Sequence, residues 1–279
     1  MFKRLLFFIT IIFLLSNCEL LNIEEENPSF ITIESIELNG NHTNKITDAW
    51  VYIENEFQGV FPLPASFPVF KTGNQKIIIE AGIKKNGISA SRESYPYFTT
   101  YESQQDLVQN QNNIIYPTIN YSLINFPYNE NFEGSGLSLS IVSDSTNHKI
   151  EKIYDNSNDN YGNYYGKSVI SGAYGELFEC TTPNFDLPKN QQVYLEMDYK
   201  SNAPIMLGIY ANGVALVEKN IIMYLNKKDD WNKIYISLTE GIYNYSDAIN
   251  YKLFFAIPRD TTLTQNEMYL DNIRLLYEE

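Results

Sequence analysis

The chain has 279 residues with 34 acidic against 20 basic side chains, a formal charge of −14 at pH 7. A surface of that sign repels phosphate backbones and excludes nucleic acid as a partner. Aromatic residues reach 14% and charged residues only 19%, with 22 Tyr and 16 Phe, a mixture that favours sheets.

The first residues, Met1-Phe2-Lys3-Arg4, precede a run from Leu5 to Leu15 that only Thr10 interrupts, followed by Ser16, Asn17 and Cys18. A basic start, an apolar stretch and a short polar junction read as an export signal. A membrane-spanning helix needs about 20 apolar residues, more than this run offers. Leu15-Ser16-Asn17-Cys18 resembles a bacterial lipobox, although Asn17 stands where that family has Gly, Ala or Ser. The resemblance implies cleavage after residue 17 and acylation of Cys18, palmitate included, which anchors the protein in a lipid bilayer. Residues 18–29, with Glu24-Glu25-Glu26, form an acidic tether. That acidic tract resembles those routing some lipoproteins to the outer face of the outer membrane, so the expected location is the outer membrane, lipid-anchored, at the cell surface. Cys180, in "GELFECTTP", then has no partner and is expected as a small buried hydrophobe.

A first unit is expected over residues 30–125. "FITIESIEL" alternates, with Ile31, Ile33 and Ile36 inward, "AWVYIENEFQGVF" gives two strands around Glu54-Asn55-Glu56, and "QKIIIEAGIKKNG" gives another. "PLPASFPVF" carries three prolines and can only be a loop or a sheet edge. This stretch resembles small sandwich modules of the PEGA and carboxypeptidase-regulatory type, which implies an Ig-like β-sandwich used as spacer or binding unit. Trp50 is expected in its core.

A second unit is expected over residues 126–279, where strands such as "KSVIS", "QQVYLEMDYKS", "IMLGIYANG", "WNKIYISLTE" and "EMYLDNIRLLY" recur at about ten-residue spacing with Gly, Asn or Pro between them. In "VYLEMDY", Val193, Leu195, Met197 and Tyr199 share one face, expected in the core. Tyr194, Glu196 and Asp198 share the other, expected to be wet. Trp231 is expected in the core as well. The order of these strands resembles galactose-binding-like jelly rolls, the family that holds many non-catalytic carbohydrate-binding modules. The expected fold class is thus all-β, with two sandwich domains.

Catalytic signatures are missing. His42 and His148 lie in polar loops of different units, which suits neither a triad nor a His-rich zinc site. Glu196 and Asp198 are followed by Lys200 and Ser201, where jelly-roll glucanases carry a third acid, so they read as an outer-face feature and the protein as no enzyme. By the same jelly-roll resemblance, Glu133 in "NFEG" and Asp271 in "LDNI" are metal candidates for a structural calcium. The alternative is that both bond turn amides. "YDNSNDNYGNYYGKS" places Tyr161, Tyr164 and Tyr165 among Asn, Asp and Gly, a loop suited to stacking on sugar rings and bonding their hydroxyls, or else a flexible loop partly folded onto the core. The expected function is a non-catalytic surface lipoprotein binding a glycan or other surface ligand. The alternative is an accessory subunit of an outer-membrane transport, secretion or assembly complex.

Overall fold

A computed structural model describes residues 27–142, 149–156, 162–172 and 176–278; Cys18, His148 and Tyr161 lie outside them. The first unit contains β1 (Ser29–Ile33), β2 (Glu37–Leu38), β3 (Asp48–Ile53), β4 (Glu56–Pro62), β5 (Ala65–Val69), β6 (Gly73–Lys84), β7 (Arg92–Ser94), β8 (Tyr101–Leu107), β9 (Asn112–Ile115) and β10 (Thr118–Ile119). Its larger sheet runs β4-β3-β6, with β7 and β8 sharing the far edge of β6. Facing it are β5-β1-β9 and the pair β2-β10. Strand alternation turns Val51, Ile53, Ile77 and Ile79 toward Ile31 and Ile33, all fully buried. Glu54 and Asn55, both at positive φ, make the two-residue turn whose twist matches a hairpin. Pro68 sits on β5, which pairs only with β1 and so forms an edge where a missing N–H does no harm.

Trp50 departs from expectation. Its neighbours Ala49 and Val51 are buried while Trp50 is half-buried; its ring lies over Gly82 and meets Phe57 at 5.9 Å on the outer side. The small side chains took the core side.

The second unit contains β11 (Ile124–Glu130), β12 (Ser140–Ile141), β13 (Ile150–Tyr154), β14 (Tyr164–Ile170), β15 (Leu177–Thr181), β16 (Val193–Ser201), β17 (Ile205–Asn212), β18 (Val217–Leu225), β19 (Lys228–Ser237), α1 (Thr239–Asn244), β20 (Asn250–Pro258) and β21 (Asn266–Glu278). One sheet runs β13-β14-β21-β16-β19, with β11 also on β21. The other runs β12-β15-β20-β17-β18. Their inner faces bury Leu195, Met197, Leu207, Ile209, Phe255, Leu270 and Ile273 in one cluster, and Cys180 is 0% exposed within it. The described residues are therefore all-β apart from one short helix, in which Ile242 is the buried residue. Six residues are too few to show a helical repeat.

The outer face of β16 is not wet over Tyr194 to Asp198, which corrects the expectation for "VYLEMDY". Tyr194, Glu196 and Asp198 are each 0% exposed because the first unit roofs them. Tyr194, Tyr235 and Leu276, from three strands of the second unit, belong to the first unit's hydrophobic cluster. The Tyr95 ring meets Tyr194 at 5.3 Å and Tyr235 at 4.9 Å. The hairpin after β6 adds backbone bonds, with Asn86 N–H donating to the Tyr235 carbonyl and Asn86 Oδ1 accepting from Ser237 N–H.

Candidate binding face

Where charged groups are buried under the roof, they are held by partners rather than offered to solvent. Tyr95 and Tyr121 hydroxyls each donate to one Glu196 oxygen at 2.8 Å, and Lys233 Nζ lies 3.3 Å from the second. Burial, with the Glu196 charge beside them, pushes both phenols well above the ordinary tyrosine range, so each stays a donor. Asp198 Oδ2 accepts from Thr43 Oγ1 and Asn272 Nδ2. Both carboxylates are sealed from water, so no substrate reaches them, and their role is to hold the two units together.

At the metal candidates, Glu133 is exposed and its Oε1 accepts the backbone N–H groups of Asn163 and Tyr164 at 2.7 and 2.8 Å. Asp271 is 0% exposed; its Oδ1 accepts from Asn272 N–H while Oδ2 has no partner. Burial first, then the Asp198 and Glu133 charges, pushes its carboxyl up to about 8. An orphaned oxygen amid like charges fits the donor chemistry of an oxygen-preferring cation. Among the described residues no three acidic, His or Cys side chains gather around one point, so further ligands would be backbone oxygens or water. The β-bulge at Asn272 (φ 46°) creates this position: it keeps Leu270 and Ile273 both inward and sets Asp271 opposite Asp198. His42 meets Tyr121 edge-on at 5.3 Å, and burial, then Arg274, lowers its pKa.

Tyr164 and Tyr165 are on strand β14, not in a loop, and consecutive strand residues point to opposite faces. Tyr164 packs against the core cluster and meets the Tyr154 ring at 5.2 Å with the planes tilted by 60°. Gly166, on the same inward face, is where the Phe132 ring passes too close for any Cβ, and this fixes the facing of the strand. Tyr165 therefore points outward. There its ring meets Trp231 at 5.5 Å and Tyr269 at 5.8 Å, and Trp231 meets Tyr269 at 6.4 Å.

Trp231 is consequently an outer-face residue, which corrects the core expectation. Ile234 and Ile236 take the inward positions of β19, leaving the odd-numbered residues outside. All three rings are half-buried and span β14, β21 and β19. Lys200 lies between them, 4.4 Å from the Tyr269 ring centroid and 5.8 Å from that of Trp231. Lys167 pairs with Glu267 at 2.9 Å, and the Tyr269 hydroxyl donates to the same carboxylate. Tyr269 and Trp231 were missed because their one-letter context, "EMYLD" and "DDWNK", is that of any strand. Only the pairing Lys167↔Tyr269↔Lys200 brings them to one row.

This platform is two residues along β16 from Asp198, where Thr43 of the first unit ends the roof. The outer face of the other sheet also carries rings, Tyr210 and Phe254 at 5.3 Å. Phe254 is 0% exposed, covered by Lys219 at 4.5 Å, and Lys219 and Tyr210 both bond Glu179. Over these two rings the face is closed by the Lys219–Glu179 ion pair.

No family model matches the chain, and no curated protein matches it. Among solved structures it is similar to the xylan-binding CBM22-1 domain of Paenibacillus barcinonensis Xyn10C, with 14% identity and a TM-score of 0.41 over 56% of this chain and 96% of that one. A family 11 carbohydrate-binding module from Clostridium thermocellum, in complex with a mixed-linked tetrasaccharide, gives 15% and 0.40 over 56% and 95%. A carbohydrate-binding module of the β-sandwich superfamily gives 13% and 0.42 over 90% and 99%. The functional reading rests on the residues of the face itself.

Proposed function

We propose that this chain is a non-catalytic binding protein of the cell envelope, tethered through an acylated Cys18, that holds a glycan across Tyr165, Tyr269 and Trp231. The observation that carries the reading is the half-exposed three-ring platform with Lys167, Lys200 and Glu267 among the rings. Ring faces stack on the C–H side of a sugar, while the ammonium and carboxylate groups bond its hydroxyls. A structural calcium at Asp271 and Glu133 would staple the sheet beside it. The test is affinity electrophoresis against plant, algal and host polysaccharides. Retardation by at least one, lost in Trp231→Ala, supports the reading, whereas mobility unchanged by every polysaccharide ends it. Mass spectrometry of the natural protein reads acylation at Cys18 directly.

A second reading, an accessory subunit of an outer-membrane complex, is favoured by the apolar tip after β17, where Val214 is 91% and Leu216 65% exposed. Copurification after mild detergent extraction tests it, and a protein that always elutes alone would discard it.

A further inference from the structure

Where the first unit meets the edge of β19 there is a cleft of about 230 Å³ whose lining includes Lys45, Lys84, Lys228 and, at its inner end, Lys233, with no acidic residue among the lining residues. Asp229 and Asp230 neighbour Lys228 in the chain but are exposed and do not line the cleft. In a chain of charge −14 this is an unexpected accumulation. Other lysines of this protein have acidic partners, as in Lys71–Glu56, Lys76–Glu102 and Lys85–Glu93. The ammonium groups of Lys84 and Lys228, by contrast, have no ion-pair or hydrogen-bond partner among the described residues, and that of Lys45 bonds only the neutral Asn232 amide oxygen.

The uncompensated charge is that of Lys45, Lys84 and Lys228, which meet no acidic residue in the cleft lining. Lys233, whose side chain is 3% exposed, is ion-paired behind the cleft with Glu196 at 3.3 Å and Asp198 at 4.0 Å, so it contributes no free charge. Lys45 is held below the ordinary lysine range by burial and then by the charges of Lys228 and Lys84. Like charges gathered at a partly desolvated site cost free energy unless a counter-ion joins them. Asn232, which lines the cleft, follows Trp231, the last ring of the platform, on the same strand. A volume near 230 Å³ is below the roughly 300–1,000 Å³ typical of sites for drug-sized ligands. It suits one charged substituent and not a polymer.

We propose that the ligand carried on the platform bears an anionic group, a sulfate, phosphate or carboxylate, and that the interdomain cleft receives it through Lys45, Lys84 and Lys228. The proposal rests on the glycan reading, and its test separates the two. Titration calorimetry of the full chain would use oligogalacturonate and its methyl ester, a sulfated galactan oligosaccharide and its desulfated form, and a phosphorylated mannan oligosaccharide and its dephosphorylated form.

At least one charged form is expected to bind roughly tenfold or more tightly than its neutral counterpart, the scale of hydrogen bonds to charged groups. In the double variant K84Q/K228Q that preference should fall to near parity while the neutral form binds as before. Which charged form is preferred identifies the anion. Equal binding of charged and neutral forms by the natural chain overturns the cleft, as does a preference that survives in K84Q/K228Q. If Trp231→Ala leaves every affinity intact while K84Q/K228Q removes the preference, the platform falls and the cleft stands. If no oligosaccharide of either kind binds, both fall. Thermal unfolding of K84Q/K228Q serves as the folding control, and since it loses only like-charge repulsion, its midpoint should be no lower than that of the natural chain.

Discussion

Glu196 is the residue on which the contact between the units turns, since two phenols from the first unit and an ammonium from its own sheet meet on one carboxylate. Removing one member of a buried ion pair leaves an uncompensated charge, so Glu196→Ala should lower stability by about 3–5 kcal/mol in urea denaturation. Lys233→Met added to it should restore only a small part of that loss, because it removes the ammonium that lacks Glu196 but also takes a partner from Asp198, 4.0 Å away. Strict additivity of the two changes would show that the pair is not coupled. Asp271 makes a pH-dependent prediction. Its folded-state carboxyl is raised to about 8, against about 3.9 in the unfolded chain. The folded state thus binds more protons between those limits, and the stability it contributes is complete below about pH 4 and lost as pH rises through 8. Chemical denaturation in a chelating buffer should show that decline, and Asp271→Asn should remove it. Calcium, by favouring the ionised form, should flatten the decline and raise the melting midpoint of the natural chain but not of the variant. A midpoint indifferent to calcium would exclude the metal from this position.

At the scale of the element, glycine marks where strands must approach closely. A Cβ on Gly208 would lie 2.1 Å from the backbone oxygen of Asn220 and 2.4 Å from the buried Phe254 ring, and the Asn220 oxygen cannot withdraw without opening the pairing of β17 with β18. Gly208→Ala should therefore cost on the order of 1–3 kcal/mol by overpacking, seen as a lower midpoint in thermal denaturation. Strand identity was legible in the sequence because alternation is a local property: "VYLEMDY" sets Leu195 and Met197 inward, and "AWVYIENEF" turns at Glu54-Asn55. What covers the other face is not local. Glu196 and Asp198 read as wet because nothing in their own strand announces Tyr95, about a hundred residues earlier, lying over them. The platform was half legible for the same reason. Tyr165 stood out in a Tyr-rich run, whereas Tyr269 and Trp231 meet it only through sheet order. The bulge at Asn272 shifts the parity of β21 midway, which a strict two-residue alternation does not anticipate.

For the whole molecule, the decisive feature is that one hydrophobic cluster draws residues from both units, since Tyr194, Tyr235 and Leu276 complete the core that Ile31, Val51 and Ile79 begin. Contacts between domains that are merely tethered are more polar and permit relative motion. Here aromatic packing is reinforced by the buried Glu196 network and by backbone bonds from the Asn86 hairpin, so the two sandwiches should unfold as one cooperative body. Calorimetry of the full chain should show a single transition whose calorimetric and van't Hoff enthalpies agree. Tyr95→Ala removes a ring that contacts both Tyr194 and Tyr235, and should cost about 3–5 kcal/mol, the range for burying a cavity where a large aromatic stood. It should also split the transition into two, the first unit melting earlier. Two separate transitions in the natural chain would mean that the units fold independently. In that case the cleft beside β19, whose lysines come from both sides of the contact, would lack the rigid walls that an anion site requires.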